Sequence, residues 1–402
     1  VTPLPQSPPR RDALRALRRG ARNAADHLVL SLANVAVYFG DETKQPIMGS
    51  APADLVFERD KLRLFRLRGA KADEYELGHT VHRMEAPRCR TPVLVIPPLM
   101  VRPYIYDLRP EHSMLRTLRD AGLDVFVVDF GVPDREDQNV RLDDYVLDYV
   151  PSFVDAALRE SGASEIAMVG YCMGGLFSLL HVGTFDDARV RALVTIGSPV
   201  NFKKMGVVTV AATLGAPGVD RILDLLGNVP GSLSSAAFKM INGPRAFTRY
   251  VDLLRNLHDE NYVRGFLAIN HWVNDMIPYP REAFRQMFRE VVYENRLLEN
   301  RLSFRGRTCD LRRIRCPLFA LAGQTDILAT PASTRGIVDL LGSEDKTFCE
   351  VPGGHVAVVA GSDAPAQVWR PIADWLLDRL HRSPDATAAC PEGRCRASVP
   401  PP

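Results

Sequence analysis

Ile166-Ala167-Met168-Val169-Gly170-Tyr171-Cys172-Met173-Gly174-Gly175 is the stretch that decides the architecture. Its apolar opening predicts a buried strand over Ile166 to Val169, and the run behind it predicts a helix from about Met173 to Val182. Between them stands G-x-C-x-G, the form of a nucleophile elbow with Cys in place of Ser. The residue types have a steric reason. A nucleophile on a tight strand-to-helix turn leaves no room for side chains at the flanking positions, so Gly170 and Gly174 are the residues that fit. The turn would present the Cys172 thiol at a helix N-terminus, whose dipole favours thiolate. It would also leave the Met173 backbone N–H free to donate to an oxyanion. The plainer alternative is a cysteine buried in a glycine-rich turn, and the flanking strand and helix weigh against it.

Outward from this turn the chain alternates strand and helix. Continuous apolar runs predict strands at Pro92 to Pro97, Asp124 to Asp129, Val190 to Ile196, Pro317 to Ala322 and Lys346 to Val351. Helices are expected at Ser113 to Ala121, Leu142 to Ser161 and Ala364 to Leu380, with Pro151 expected to kink or split the second. Such alternation implies a mostly parallel sheet covered by helices on both faces. Far more chain separates the strands at 190–196 and 317–322 than a crossover needs. The excess carries helical periodicity at Phe247 to Leu257 and Ala283 to Leu298, which predicts an inserted helical lid over the strands' carboxyl ends.

A nucleophile needs a base, and His355 lies in the loop after the last strand, Val351-Pro352-Gly353-Gly354-His355. The third member should be an acid after the preceding strand. Asp326 in Gly323-Gln324-Thr325-Asp326 fits, where it would hold the tautomer of His355, and Asp345 is next in line. The order nucleophile, acid, His is that of α/β-hydrolases. The fold class read here is therefore α/β, an α/β-hydrolase fold with an inserted lid. A second oxyanion donor is expected after the strand at 92–97, from Leu99, Met100 or Val101.

Composition narrows the setting. The 402 residues are 46% hydrophobic and 24% charged with a formal net charge of +2, so neither dominant disorder nor a basic nucleic-acid surface is indicated. The first 22 residues hold six Arg against one Asp. With Leu28-Val29-Leu30 behind them, they predict a basic amphipathic helix, packed on the body or attached to an apolar or anionic surface. No stretch is long and apolar enough to span a membrane, and none has the form of an export signal. Seven scattered Cys suggest a reducing, cytoplasmic setting. No spacing suggests a metal or cofactor site, and Cys390 and Cys395 read as solvated thiols. The expected division is an arm over 1–51, a core over 52–200 and 302–382, a lid over 201–301 and a disordered tail over 383–402.

From about Pro52 to Leu380 the chain resembles polyhydroxyalkanoate synthases of the short class III type and their synthase-like α/β-hydrolase relatives. The resemblance rests on the elbow and on further segments. These are Pro92 to Leu99 with Arg102-Pro103-Tyr104-Ile105-Tyr106-Asp107-Leu108, Gly122 to Gly131, His271-Trp272-Val273-Asn274-Asp275 with Pro278 and Ala283-Phe284-Arg285-Gln286, and Gly353-Gly354-His355. It departs from the family pattern at Ile327 after the acid, at Val101 before Arg102-Pro103-Tyr104, and at Asn201 after Pro199-Val200. The resemblance implies an acyltransferase that moves 3-hydroxyacyl groups from CoA thioesters through an acyl-Cys172 intermediate to a growing polyester. His355 would be the base, Asp326 its orienting acid, and the lid would exclude water. It also implies a second synthase subunit or homo-oligomer and a storage-granule surface. Two other classes share these residues: a thioesterase or esterase releasing free acid, and a non-catalytic granule scaffold.

Overall fold

The computed structural model describes residues 26–39 and 48–380, apart from short internal stretches at 69–73, 78–79, 84–88, 207–208, 211–212, 214–217 and 242. The expected disordered tail with Cys390 and Cys395, and the Arg-rich start of the arm, lie outside the described residues. By compactness the chain divides into two units. One is 1–47 with 242–271, and the other is 48–241 with 272–402.

The larger unit is built on an eight-stranded sheet. Its strands are β1 Ala53–Arg59, β2 Leu62–Leu67, β3 Pro92–Ile96, β4 Asp124–Asp129, β5 Ile166–Tyr171, β6 Val190–Ile196, β7 Leu318–Gly323 and β8 Lys346–Val351. They lie in the order β1-β2-β4-β3-β5-β6-β7-β8. β1 and β2 are antiparallel, β2 pairs antiparallel with β4, and every later pair is parallel. In β3 and β5 every residue is buried, which is why both read as unbroken apolar runs. β1, a sheet edge, alternates half-buried and exposed residues.

The helices over the sheet are α1 Met114–Asp120, α2 Val150–Ser161 and α3 Met173–Phe185, and, after the insertion, α9 Pro331–Leu340 and α10 Arg370–Leu380. The α1 start is fixed by Ser113, whose hydroxyl accepts from the Arg116 N–H. Pro151 does not end the helical run, which continues from Leu142 to Ser161. It stands in the first turn of α2, and the turn before it, Tyr145–Tyr149, is wound as a π-helix. The proline lacks the N–H that an α-turn would use, and the wider turn absorbs the mismatch. The closing segment does the same at Pro365–Trp369 before α10.

The insertion holds α4 Val219–Leu226, α5 Gly231–Ile241, α6 Gly243–Arg255, α7 Glu260–Asn274 and α8 Arg281–Gln286. α8 passes into a π-turn over Met287–Tyr293 and ends there, short of the expected Leu298. In the smaller unit, the helix over 26–39 meets the α6–α7 connection: Asn34 Nδ2 donates to the Leu257 carbonyl at 2.7 Å, and His27 stacks on His258. Leu28, Val29 and Leu32 on that helix are exposed. Among the described residues no helix is long and apolar enough to cross a membrane.

Candidate active site

The carboxyl ends of β5, β7 and β8 bring the three sequence-derived residues together. Cys172 is the single residue between β5 and α3, with φ 53° and ψ −117°. That left-handed φ costs a non-glycine residue on the order of 1–3 kcal/mol, so the surroundings must enforce it. They do so by close approach. A Cβ on Gly170 would lie 2.2 Å from the Gly175 nitrogen, and one on Gly174 would lie 1.9 Å from the Ile96 carbonyl oxygen. The second approach also sets the start of α3 against the end of β3. The Cys172 N–H itself is spent on the Ile196 carbonyl at 2.8 Å. Met173 opens α3, whose first N–H groups have no intrahelical acceptor.

Asp326 follows β7 and is 3% exposed. Its Oδ1 accepts the backbone N–H groups of Leu328 and Ala329 at 2.8 and 2.9 Å, and its Oδ2 meets His355 Nδ1 at 2.7 Å. The Cys172 side chain is the other group that acts on this imidazole. Burial would hold the imidazole neutral. The Asp326 carboxylate, and then Cys172, more than offset that and carry His355 from its ordinary 6.5 up to about 10. The fallback acid, Asp345, lies just before β8 and is bound by Arg379 through both carboxylate oxygens at 2.9 and 3.0 Å.

Leu99, Met100 and Val101 follow β3, and Met100 has φ 60°. Pro97 and Pro98 have no N–H, so Leu99 carries the first backbone donor after the strand. Sequence reasoning missed the residues that tie these parts together. The hydroxyl of Tyr106, 1% exposed, donates to the Ile96 carbonyl at 2.8 Å and accepts the Tyr171 N–H at 3.1 Å. Tyr171 in turn donates its hydroxyl to the His355 carbonyl at 3.0 Å. Gly197, at the end of β6, is so close to the His–Asp pair that a Cβ there would sit 3.5 Å from the imidazole. Tyr171 stands beside Cys172 and Gly197 follows a strand, and those positions were the available signals. Tyr106 was marked only as part of the Arg102-to-Leu108 segment that carries the resemblance. From the insertion, Tyr279 reaches the elbow, its hydroxyl 3.7 Å from Met173 Sδ. Among the described residues no cluster of His, Cys, Asp and Glu could hold a metal ion.

A central, mostly parallel sheet with a strained strand-to-helix turn at Cys172 and a His–Asp pair at its carboxyl edge defines an α/β-hydrolase-fold protein, and the alpha/beta hydrolase fold family model matches residues 105–361. Among curated proteins the chain is 30% identical over 334 residues to the poly(3-hydroxyalkanoate) polymerase subunit PhaC of Allochromatium vinosum, covering 82% of this chain and 90% of that protein. It is also 30% identical over 347 residues to the protein of the same name from Haloferax mediterranei, covering 85% of this chain and 66% of the relative's length. The chain belongs to the poly(3-hydroxyalkanoate) polymerase family. Among solved structures, a monoacylglycerol lipase from Paleococcus ferrophilus is 18% identical with a TM-score of 0.44, covering 73% of this chain and 96% of that one.

Proposed function

We propose that this chain is a Cys-dependent acyltransferase that moves 3-hydroxyacyl groups from CoA thioesters onto a growing polyester. The observation that carries the reading is the hydrogen bond between Asp326 and His355, with Cys172 acting on the same imidazole, at the carboxyl ends of β7, β8 and β5. A cationic imidazole beside the sulfur stabilises the thiolate. The thiolate attacks the thioester carbonyl, and the developing oxyanion is met by the Met173 N–H and by a donor from Leu99, Met100 or Val101, with Leu99 favoured by its position after two prolines. The tetrahedral intermediate then expels CoA as its thiol with the proton from His355, leaving an acyl-Cys172 thioester. His355 next takes the proton of an incoming 3-hydroxyl, whose oxygen attacks that thioester. An ester forms and the Cys172 thiolate is released. Exchange of one thioester for another is nearly balanced in energy, which suits sulfur as the nucleophile.

Water competes with the alcohol, so the segment 201–301 acts in this reading as a lid. The contact of Tyr279 with Met173 supports that role for its later part. The relatives carry the word subunit in their names, which supports action beside a second polypeptide. The exposed apolar residues of the helix over 26–39 suit a polyester granule surface.

The test is incubation with 3-hydroxybutyryl-CoA and intact-mass measurement of the protein. The expected outcome is an acyl adduct on Cys172, free CoA and insoluble polyester. Free CoA with free acid would make the chain a thioesterase, and no adduct with no CoA release would leave a scaffold.

A further inference from the structure

The loop that is to supply the second oxyanion donor is not held by the sheet alone. Met100, a non-glycine residue at φ 60°, would relax toward negative φ if the loop were free. Several of its restraints come from one short stretch of the insertion. The Ile277 N–H donates to the Met100 carbonyl at 2.9 Å. Trp272, 2% exposed, donates its indole N–H to the Arg102 carbonyl at 3.3 Å. Between these, a single carboxylate oxygen, Asp275 Oδ2, takes Arg102 Nε at 2.8 Å and the Tyr104 hydroxyl at 2.9 Å. Asp275 therefore grips the loop on both sides of Pro103, immediately after the candidate donors.

We infer that Asp275 is a positioning residue for the acyl-transfer site: by gathering Arg102 and Tyr104 it fixes the loop after β3 in the shape that aims a backbone N–H at the oxyanion. This inference rests on the acyltransferase reading. Energetics favour a geometric role over a stabilising one. The Arg102 and Asp275 side chains are 41% and 34% exposed, and ion pairs of that kind contribute little to stability. A displacement of about 1 Å in a catalytic donor, by contrast, can cost about 100-fold in rate.

The test separates oxyanion chemistry from thiol chemistry on the same sulfur. Acylation of Cys172 by 3-hydroxybutyryl-CoA passes through an oxyanion, whereas alkylation by iodoacetamide displaces iodide directly and forms none. For Asp275→Ala, the expected result is a fall of about 100-fold in the limiting rate of Cys172 acylation, followed by rapid-quench intact mass. The half-saturating substrate concentration should change little, and the iodoacetamide rate constant should match wild type. Asp275→Asn and Tyr104→Phe, which each keep part of the grip, should show smaller losses in the same direction. Equal losses in acylation and alkylation would mean that Asp275 merely supports the fold, and unchanged acylation would mean that it positions nothing; either overturns the inference. A wild-type chain that is alkylated but never acylated at Cys172 overturns the acyltransferase reading, and this inference falls with it.

Discussion

Two buried His–Asp pairs flank the helix α3. At its start, His355 meets Asp326 with side chains 8% and 0% exposed, and near its far end His181 meets Asp187 at 3.0 Å with side chains 1% and 7% exposed. The residues are the same and the burial is comparable. The difference lies in what else each carboxylate and each imidazole touches. Asp187 is also forked by Arg189, through Nε and Nη2 at 2.8 Å each. Burial works against its charge, yet Arg189 and then His181 hold its carboxyl well below the usual range. Asp326 has two backbone amides where Asp187 has a guanidinium, so His355 is the side chain that answers its charge. Cys172 also acts on His355, whereas His181 Nδ1 is buried without a hydrogen-bond partner among the described residues. On the proposed reading, what makes one His–Asp pair a structural tie and the other a base is whether a fixed cation has already claimed the acid and whether a thiol stands beside the imidazole.

That contrast can be broken most directly at the sulfur. Cys172→Ala should lower CoA release from 3-hydroxybutyryl-CoA by about 10⁴-fold or more, while His181→Ala leaves the rate of the folded protein at wild type. Wild-type rates in the first variant, or a catalytic collapse in the second, would exchange the two roles. Asp326→Asn should cost up to about 10⁴-fold in the same assay with the fold retained, because the wrong tautomer of His355 is then favoured. Asp187→Asn should act on stability instead. Arg189 keeps Asp155, so the loss falls on the buried contact with His181 and should cost about 1–3 kcal/mol in urea unfolding, with activity kept.

How much of this was legible follows the same line. The positions of Cys172, Asp326 and His355 could be read because each sits directly behind a strand that announces itself as an apolar run, and a parallel sheet carries those loop starts to one edge. The partners that fix them could not. Tyr106 reaches the elbow through space, and the Asp275 grip joins two segments that share no pattern. β1 and β2 were missed because strands that carry charge lack the apolar run of a central strand: the edge strand β1 reads Ala53-Asp54-Leu55-Val56-Phe57-Glu58-Arg59, and β2 inside it reads Leu62-Arg63-Leu64-Phe65-Arg66-Leu67. The π-turns before Pro151 and at 287–293 lie inside patterns that look helical throughout, so only their boundaries went astray.

Two further measurements sharpen the comparison with smaller effects. Tyr106→Phe should destabilise by about 1–3 kcal/mol, since it strips a partner from the buried Ile96 carbonyl and Tyr171 N–H. A loss near zero would show that the hydroxyl bridge is dispensable. The raised His355 should also give its pair a pH signature. Its protonated form stabilises the fold in full below about pH 6.5, and that contribution fades as pH climbs through about 10. The melting-temperature deficit of Asp326→Asn should therefore be widest near pH 6 and narrow toward pH 10; a deficit that widened with pH would assign the proton to another group.

The strained backbone at Cys172 has a consequence for biosynthesis. In a growing polypeptide this residue is free to take an ordinary negative φ, no imidazole faces it, and β8 with its following loop has not yet been made. The sulfur is then a common thiol. On the proposed reading it gains its base only when the last strand docks, so completion of the sheet is what would confer reactivity.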